Sequence, residues 1–281
     1  MGGSRNAKAE FKEGHLPGGV FFDIDGIADQ AVSLPHMIPT EEVFSSRVSD
    51  LGISSNHTVV VYAKEGSFSA PRCWWTFRTF GHEGVHVLDG GFQAWKAAEG
   101  RVETGHAKPA STRPSSGLVQ MSGNAWKLRD KGFRARLNAP MLRTWRQVLS
   151  QSEQGKEAAG QIVDARSLAR FRAEAPEPRA GVAGGHVPGS ACVPFSSVLA
   201  EGDVNRFRSP DEIRKVFEDA GIDVDSPLPI TTSCGSGVTA AVLTFALELA
   251  GRKAELSPVY DGSWAEWGSR DDLPRSTGDD L

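Results

Sequence analysis

The chain has 281 residues, of which 39% are hydrophobic and 23% charged, an ordinary globular composition and a length that suits two compact domains. A formal net charge of −4 gives no electrostatic basis for binding nucleic acid or an anionic membrane surface, and no apolar run is long enough to span a bilayer. Three scattered cysteines fit neither a disulfide framework nor a metal site. They favour a reducing compartment, cytosol or mitochondrial matrix, with one functional thiol.

Strand and helix patterns alternate along both halves of the chain. In the first half, hydrophobic periodicity and turn residues predict helix over 40–52, strand over 58–64, helix over 70–81 and strand over 85–91. In the second half, they predict strands over 161–165, 190–195, 228–234 and 257–262, and helices over 209–221, 238–251 and 264–268. Such alternation predicts an α/β fold, with mostly parallel sheets flanked by helices.

Two landmarks of the first half recur in the second. His15-Leu16-Pro17-Gly18 is repeated as His186-Val187-Pro188-Gly189, and Asp89-Gly90 is repeated as Asp261-Gly262. The step from the histidine to the aspartate is 74 residues in the first copy and 75 in the second. Matched spacing of this kind indicates a tandem repeat of one domain.

The repeat divides the chain into a first domain over residues 1–102, a linker over 103–135 and a second domain over 136–281. In the second copy, the predicted strand at 161–165 lies ahead of His186, whereas only 14 residues precede His15. We therefore expect the first sheet to lack its opening strand. The repeat favours a shortened form of a longer chain over a first domain that is built differently.

Cys234 lies in a glycine-containing loop between a predicted strand and a predicted helix. This is the position at which α/β sheets present reactive groups. Gly235 and Gly237 allow backbone angles that turn successive N–H groups inward, and these amides, with the helix N-terminus, stabilise a thiolate or persulfide. A buried structural cysteine beside a turn is the alternative, and the glycines and the strand–loop–helix setting argue against it.

The segment Cys234-Gly235-Ser236-Gly237-Val238-Thr239-Ala240, together with the two His-x-Pro-Gly and Asp-Gly modules, resembles the rhodanese-type sulfurtransferases. The resemblance covers nearly the whole chain and implies two tandem rhodanese-like domains with no cofactor or metal. It also implies an inactive first domain, an active second one and a site between them. The matching loop of the first copy, residues 63–72, contains no cysteine.

The uncharged loop is similar to that of 3-mercaptopyruvate sulfurtransferases, because thiosulfate-using relatives carry basic residues directly after the cysteine. The resemblance implies that Arg170 and Arg179 bind the substrate carboxylate; their alternative reading is solvated charge on a loop. Thiosulfate:cyanide sulfurtransferase activity remains the rival enzymatic hypothesis. An inactive, shortened form that acts as a binding module is the non-enzymatic one.

The first domain is expected to add an aspartate and a histidine that form an Asp–His–Ser set with a serine of the loop. By resemblance, Asp25 and His36 face the loop residue Ser236, where they would polarise the substrate carbonyl or relay a proton. The persulfide loop comprises Gly235, Gly237, Val238 and Thr239. The family further implies transfer of sulfur from the donor, through a Cys234 persulfide, to thioredoxin, a small thiol or cyanide, with release of pyruvate.

Overall fold

A computed structural model of the protein describes residues 5–106 and 132–278. The first part contains α1 (Ala7–Glu13), α2 (Ile24–Ile27), α3 (Glu41–Asp50), β1 (Val59–Val61), α4 (Ala70–Thr79), β2 (Val85–Val87) and α5 (Gly91–Ala97). The second part contains β3 (Leu142–Arg143), α6 (Trp145–Gln154), α7 (Lys156–Ala159), β4 (Gln161–Asp164), α8 (Leu168–Phe171), β5 (Ala191–Cys192), β6 (Leu199–Ala200), β7 (Asp203–Phe207), α9 (Pro210–Asp219), β8 (Ile230–Ser233), α10 (Val238–Leu249), β9 (Val259–Tyr260) and α11 (Ser263–Trp267).

The second domain is built on a parallel sheet of five strands in the order β3-β9-β8-β4-β5. The two central strands β4 and β8 are buried along their whole length, because helices cover both faces of the sheet. Local signals set the boundaries of α9: Ser209 accepts a hydrogen bond from the Glu212 N–H, and the Glu212 carboxylate accepts one from the Ser209 N–H. The predicted α/β class is confirmed.

The first domain has a smaller sheet, in which β1 pairs only with β2 among the described residues. Aromatic side chains supply much of its core, with Phe44 stacked on Phe80 at 4.3 Å between ring centroids. The repeat predicts that this sheet lacks its opening strand, and the described part of the domain has no counterpart of β4.

Most of the predicted linker, residues 107–131, lies outside the described residues. The described end of the linker packs on the first domain: Phe133 is buried against Phe44 and Phe77, and its N–H donates to Ser49 Oγ at 2.9 Å. The boundaries proposed for the two domains remain a prediction.

Helices α4 and α10 join the two domains, with Trp74 of one edge-on to Phe245 of the other at 4.8 Å. The antiparallel hairpin β6–β7 was not predicted, and it adds a second contact, because the Asn205 carbonyl accepts a hydrogen bond from the Gly90 N–H. These contacts close the molecule around a space between the domains. In the part of the chain described, no helix has the length and apolarity needed to cross a membrane.

Candidate active site

Cys234 lies directly after β8 and opens the loop that leads into α10. Two hydrogen bonds join Cys234 to the first two residues of α11: the Cys234 N–H donates to Ser263 Oγ at 3.2 Å, and the Trp264 N–H donates to the Cys234 carbonyl at 2.9 Å. The Ser236 N–H lies 3.4 Å from Cys234 Sγ and points a donor at the sulfur. An anionic sulfur at this position therefore meets a backbone amide and the N-terminus of a twelve-residue helix.

Gly237 is the residue at which this loop turns into α10. It has a φ of +78°, a left-handed conformation that favours glycine. A Cβ atom built there would lie 2.7 Å from Arg72 Nη1 and 2.9 Å from the Asp261 carbonyl oxygen. The predicted need for glycine at position 237 thus has two causes, the backbone angle and the close approach of neighbouring groups.

A cavity of about 890 Å³ opens in front of the Cys234 loop, with walls from both domains. It brings together nearly all of the residues predicted for the site: Asp25, His36, Arg170, Arg179, Cys234, Gly235, Ser236, Val238 and Thr239. Gly237 is the exception, since it faces Arg72 and Asp261 behind the loop. The roles assigned to these residues remain proposals.

Arg170 and Arg179 reach over the loop from the second domain. A Cβ atom placed on Gly235 would be 3.2 Å from Arg170 Nη2 and 3.9 Å from Arg179 Nη1, so both guanidinium groups stand next to the loop. Glu177 was not predicted as a site residue: its buried carboxylate accepts from Arg170 Nη2 at 2.5 Å and from Arg166 Nη1 at 2.7 Å. The signal in the sequence that could have indicated Glu177 is its position between Arg170 and Arg179.

Asp25 and His36 form a pair in the first domain, with Nδ1 of the imidazole 2.5 Å from Oδ1 of the carboxylate. His36 has a φ of +62°, which is rare for a residue with a side chain. In the described ranges no hydrogen bond joins Ser236 Oγ to His36, although both residues line the cavity. The three predicted residues line one cavity, and they do not form a hydrogen-bonded triad in the described structure.

Arg72 and Asp261, also missed, form a buried ion pair across the domains, with Nη1 and Oδ1 2.6 Å apart. The same Nη1 donates to the Gly237 carbonyl at 3.2 Å, and Nη2 donates to the His36 carbonyl. The other carboxylate oxygen of Asp261 accepts from the Ile38 N–H at 2.8 Å. This network ties the segment that carries His36 to the loop that carries Cys234.

Of the remaining cysteines, Cys73 lies on α4 and also lines the cavity, and Cys192 lies at the end of β5. Burial raises the pKa of the Cys73 and Cys192 thiols, that of Cys192 to about 12. In the first domain, Ala63 stands where Cys234 stands in the second, because the Phe92 N–H donates to its carbonyl as the Trp264 N–H does to that of Cys234. His15 and His186 are both buried and stack on Phe11 and Phe171, a structural role common to the two copies.

Comparison with known proteins agrees with this arrangement. The model of the rhodanese-like domain matches residues 5–98 and 144–270. The chain belongs to the rhodanese family. Its two matched segments correspond to the two domains of the structure, so the tandem rhodanese architecture is confirmed.

Relatives of this rhodanese carry names that describe one kind of activity. The chain is 42% identical over 272 residues to the mitochondrial thiosulfate/3-mercaptopyruvate sulfurtransferase 1 of Arabidopsis thaliana, covering 96% of this chain and 69% of that protein. It is 39% identical over 270 residues to the 3-mercaptopyruvate sulfurtransferase of Escherichia coli K12, covering 96% and 86%.

Solved structures share this fold. The crystal structure of SseA from Escherichia coli, described as a 3-mercaptopyruvate sulfotransferase, superposes with a TM-score of 0.73 at 36% identity and covers 92% of this chain and 87% of that one. Tum1 of Saccharomyces cerevisiae superposes with a TM-score of 0.79 at 28% identity, covering 97% and 88%.

Proposed function

We propose that this rhodanese is a sulfurtransferase that takes sulfur from 3-mercaptopyruvate onto Cys234 and passes it to a thiol or cyanide. The observation that carries the proposal is the position of Cys234: it lines the cavity, its Sγ meets the Ser236 N–H, and two guanidinium groups stand next to the adjoining Gly235. The names of the relatives from Arabidopsis thaliana and Escherichia coli support the same donor.

The first half-reaction forms a persulfide. The Cys234 thiolate attacks the sulfur of 3-mercaptopyruvate, a sulfur–sulfur bond forms, and the carbon–sulfur bond breaks with its electron pair moving to the methylene carbon. The product is the enolate of pyruvate, which takes up one proton and leaves as pyruvate, while the transferred sulfur gives up its own proton, so that no net proton is consumed. The Ser236 N–H and the N-terminus of α10 stabilise the negative charge that remains on the persulfide.

Arg170 and Arg179 are proposed to bind the donor carboxylate. Both stand next to Gly235, one residue from the nucleophile, where a paired guanidinium arrangement suits a carboxylate. Glu177 holds Arg170 in place, whereas Arg179 makes no ion pair with a carboxylate of the residues described. Arg179 is therefore the guanidinium available to an incoming anion, and Arg170 is the one whose position is set in advance.

His36 is proposed to deliver the proton that the enolate needs, with Asp25 holding the imidazole through Nδ1 and Ser236 offering a hydroxyl at the carbonyl end of the donor. In the second half-reaction an acceptor thiolate attacks the outer sulfur and regenerates the Cys234 thiolate. We propose reduced thioredoxin or a small thiol as the acceptor, in the cytosol or the mitochondrial matrix, where thiols remain reduced.

Thiosulfate is proposed as a secondary donor. The loop residues Gly235 and Ser236 carry no charge for a small dianion, so Arg170 and Arg179, which stand next to the loop, would supply it. The Arabidopsis relative, whose name includes both donors, supports dual use.

The test measures pyruvate release from 3-mercaptopyruvate, and thiocyanate formation from thiosulfate and cyanide, with the purified chain. We expect the mercaptopyruvate rate to dominate, Cys234→Ser to abolish both rates, and Cys192→Ser to keep them. Loss of one charged hydrogen bond in Arg179→Gln is expected to lower kcat/KM for mercaptopyruvate about 10- to 100-fold. Preference for thiosulfate would refute the donor assignment, and an active Cys234→Ser would refute the nucleophile.

A further inference from the structure

Ser263, the first residue of α11, has a backbone conformation that residues with a side chain seldom adopt. Its φ is +51°, in the left-handed region that favours glycine, and the residue is fully buried. The repeated Asp-Gly motif aligns Ser263 with Gly91 of the first domain, which has a φ of +54°. The first domain therefore has the residue that suits this backbone conformation, whereas the second has a strained serine.

The Ser263 hydroxyl group joins two main-chain groups at the carboxyl ends of β8 and β9. Its oxygen accepts a hydrogen bond from the Cys234 N–H at 3.2 Å, and the hydroxyl donates to the Tyr260 carbonyl at 2.7 Å. Earlier in the same ladder, the Thr232 N–H donates directly to the Pro258 carbonyl at 2.9 Å. Because the hydrogen bonds of a parallel ladder are evenly spaced, the next one would join Cys234 directly to Tyr260. The serine hydroxyl lies in place of that hydrogen bond.

Both polar main-chain groups of Cys234 are thereby bonded to α11. Its N–H donates to Ser263, and its carbonyl accepts from the Trp264 N–H at 2.9 Å. The carbonyl of the next residue, Gly235, accepts from the Ala265 N–H at 2.9 Å. With the main chain held on both sides, rotation about the Cα–Cβ bond is the main freedom left to the sulfur of Cys234.

The first domain lacks the contact to the N–H group. The Phe92 N–H donates to the Ala63 carbonyl at 3.0 Å, but the Ala63 N–H has no hydrogen-bond acceptor among the residues described. A Cβ atom built on Gly91 would lie 2.5 Å from the Ala63 carbonyl oxygen. The copy of the domain without a thiol at this position therefore also lacks the hydroxyl contact and has no room for it.

We propose that Ser263 is a positioning residue for the nucleophile: its hydroxyl group fixes the main chain of Cys234 so that Sγ stays at the Ser236 N–H. This inference rests on the proposed role of Cys234 in sulfur transfer. Ser263 is fully buried and does not line the cavity, so it acts through Cys234 and not on the donor. Its removal should therefore lower kcat and leave KM nearly unchanged.

The test compares two substitutions that both remove the hydroxyl group. Ser263→Ala keeps the strained φ, whereas Ser263→Gly relieves it. We expect kcat for pyruvate release from 3-mercaptopyruvate to fall about tenfold or more in both variants, with KM within about twofold of wild type, because a small displacement of a reacting atom lowers the rate steeply. In urea unfolding, Ser263→Gly should have the higher midpoint, the reverse of the usual order of glycine and alanine in a helix. If Ser263→Ala does not fold, the unstrained glycine variant carries the same kinetic test.

Ser190→Ala is the matched control. Ser190 is 1% exposed, and its hydroxyl donates to the carbonyl three residues earlier, that of Val187, at 2.6 Å, as the Ser263 hydroxyl does to Tyr260. Among the described residues, the Ser190 hydroxyl makes no hydrogen bond to the Cys234 loop. We expect kcat and KM of this variant to stay within about twofold of wild type.

Amide hydrogen exchange, followed by nuclear magnetic resonance, separates this inference from the proposed function. In both Ser263 variants the Cys234 amide should exchange about tenfold faster or more relative to the Thr232 amide, whose bond to Pro258 is kept, and in Ser190→Ala the ratio should not change. This measurement needs no turnover. A wild-type chain that is inactive with both donors would refute the proposed function, whereas unchanged exchange in an active chain would refute this inference.

Three kinetic outcomes would also overturn the proposal. The first is an unchanged kcat in Ser263→Ala or Ser263→Gly, and the second is a rise in KM in place of the fall in kcat. The third is a recovery of kcat in Ser263→Gly relative to Ser263→Ala, which would show that activity follows backbone strain and not the hydroxyl group.

Discussion

Replacing Arg72 with methionine tests whether a buried ion pair holds the two domains around the cavity. The Arg72 and Asp261 side chains are 1% and 2% exposed, and their charged atoms lie 2.6 Å apart. Methionine keeps much of the apolar stem, which lies beside the Trp75 ring, and removes the charge. Asp261 then stays buried, with the Ile38 N–H as its remaining donor on Oδ2.

The expected loss in the free energy of unfolding follows from that burial. Removing one partner of a buried pair costs about 3–5 kcal/mol, because the other charge is left uncompensated. With an m-value of about 3 kcal/mol/M in urea, the unfolding midpoint falls by about 1–1.7 M. Catalysis should also fall, since Arg72 bonds the carbonyls of His36 and Gly237 from opposite domains.

Urea unfolding, followed by tryptophan fluorescence and by far-ultraviolet circular dichroism, measures the change. Arg78→Met is the matched control: Arg78 lies on the same helix and near a tryptophan, but its ion pairs with Glu248 and Glu255 are 3.5 and 3.4 Å long, and its side chain is 18% exposed. Pairs of that kind contribute at most about 1 kcal/mol, so the control midpoint should move by about 0.3 M or less.

A second substitution separates lost charge balance from lost packing. Asp261→Asn in the Arg72→Met background removes the uncompensated charge and leaves an oxygen for the Ile38 N–H. We expect it to restore at least half of the lost stability. Equal midpoint shifts for Arg72→Met and Arg78→Met, or no recovery in the double variant, would refute the reasoning.

Three further outcomes are expected. Gly237→Ala should lower the melting temperature and the activity together, because φ is +78° and a Cβ would lie 2.7 Å from Arg72 Nη1. Gly235→Ala should raise KM with little change in melting temperature, because its Cβ would meet the end of the Arg170 side chain. Similar melting temperatures for the two variants would contradict this. Burial raises the pKa of Glu266 above its ordinary value of 4.5, so its stabilising contribution is present at low pH and is lost as pH rises through the folded-state pKa. The stability gained in Glu266→Gln, measured by urea unfolding, should therefore be larger at pH 8 than at pH 4.5, and a pH-independent difference would contradict the assignment. Iodoacetamide at pH 7.5 should modify Cys234, which lines the cavity, before Cys192, because burial raises the pKa of the Cys192 thiol to about 12. Peptide mass spectrometry measures the order of modification, and the reverse order would contradict a cavity-facing Cys234.

The amino-acid sequence by itself predicted seven elements of the second domain, β4, β5, β8, β9, α9, α10 and α11, and the position of the reactive loop. It did not predict β3, α6, α7, α8 or the hairpin β6–β7. Ser209 and Pro210 mark the start of α9, and the strand–glycine–helix pattern around Cys234 predicts β8, the loop and α10 as the structure has them. These features follow from hydrogen bonds and periodicity over a few residues, so they can be read locally. The repeated motifs also predicted the tandem domains and the short first sheet.

Only the tertiary structure determines which residues far apart in the chain contact each other. Arg72 and Asp261 are 189 positions apart, and their pairing depends on how α4 packs against α10. Glu177 pairs with Arg166, just after β4, and with Arg170, and the hairpin β6–β7 meets the first domain where the Asn205 carbonyl accepts from the Gly90 N–H. Side chains that meet across a domain interface leave no periodic signal in the sequence, because their contact is set by the packing of whole elements rather than by neighbours along the chain.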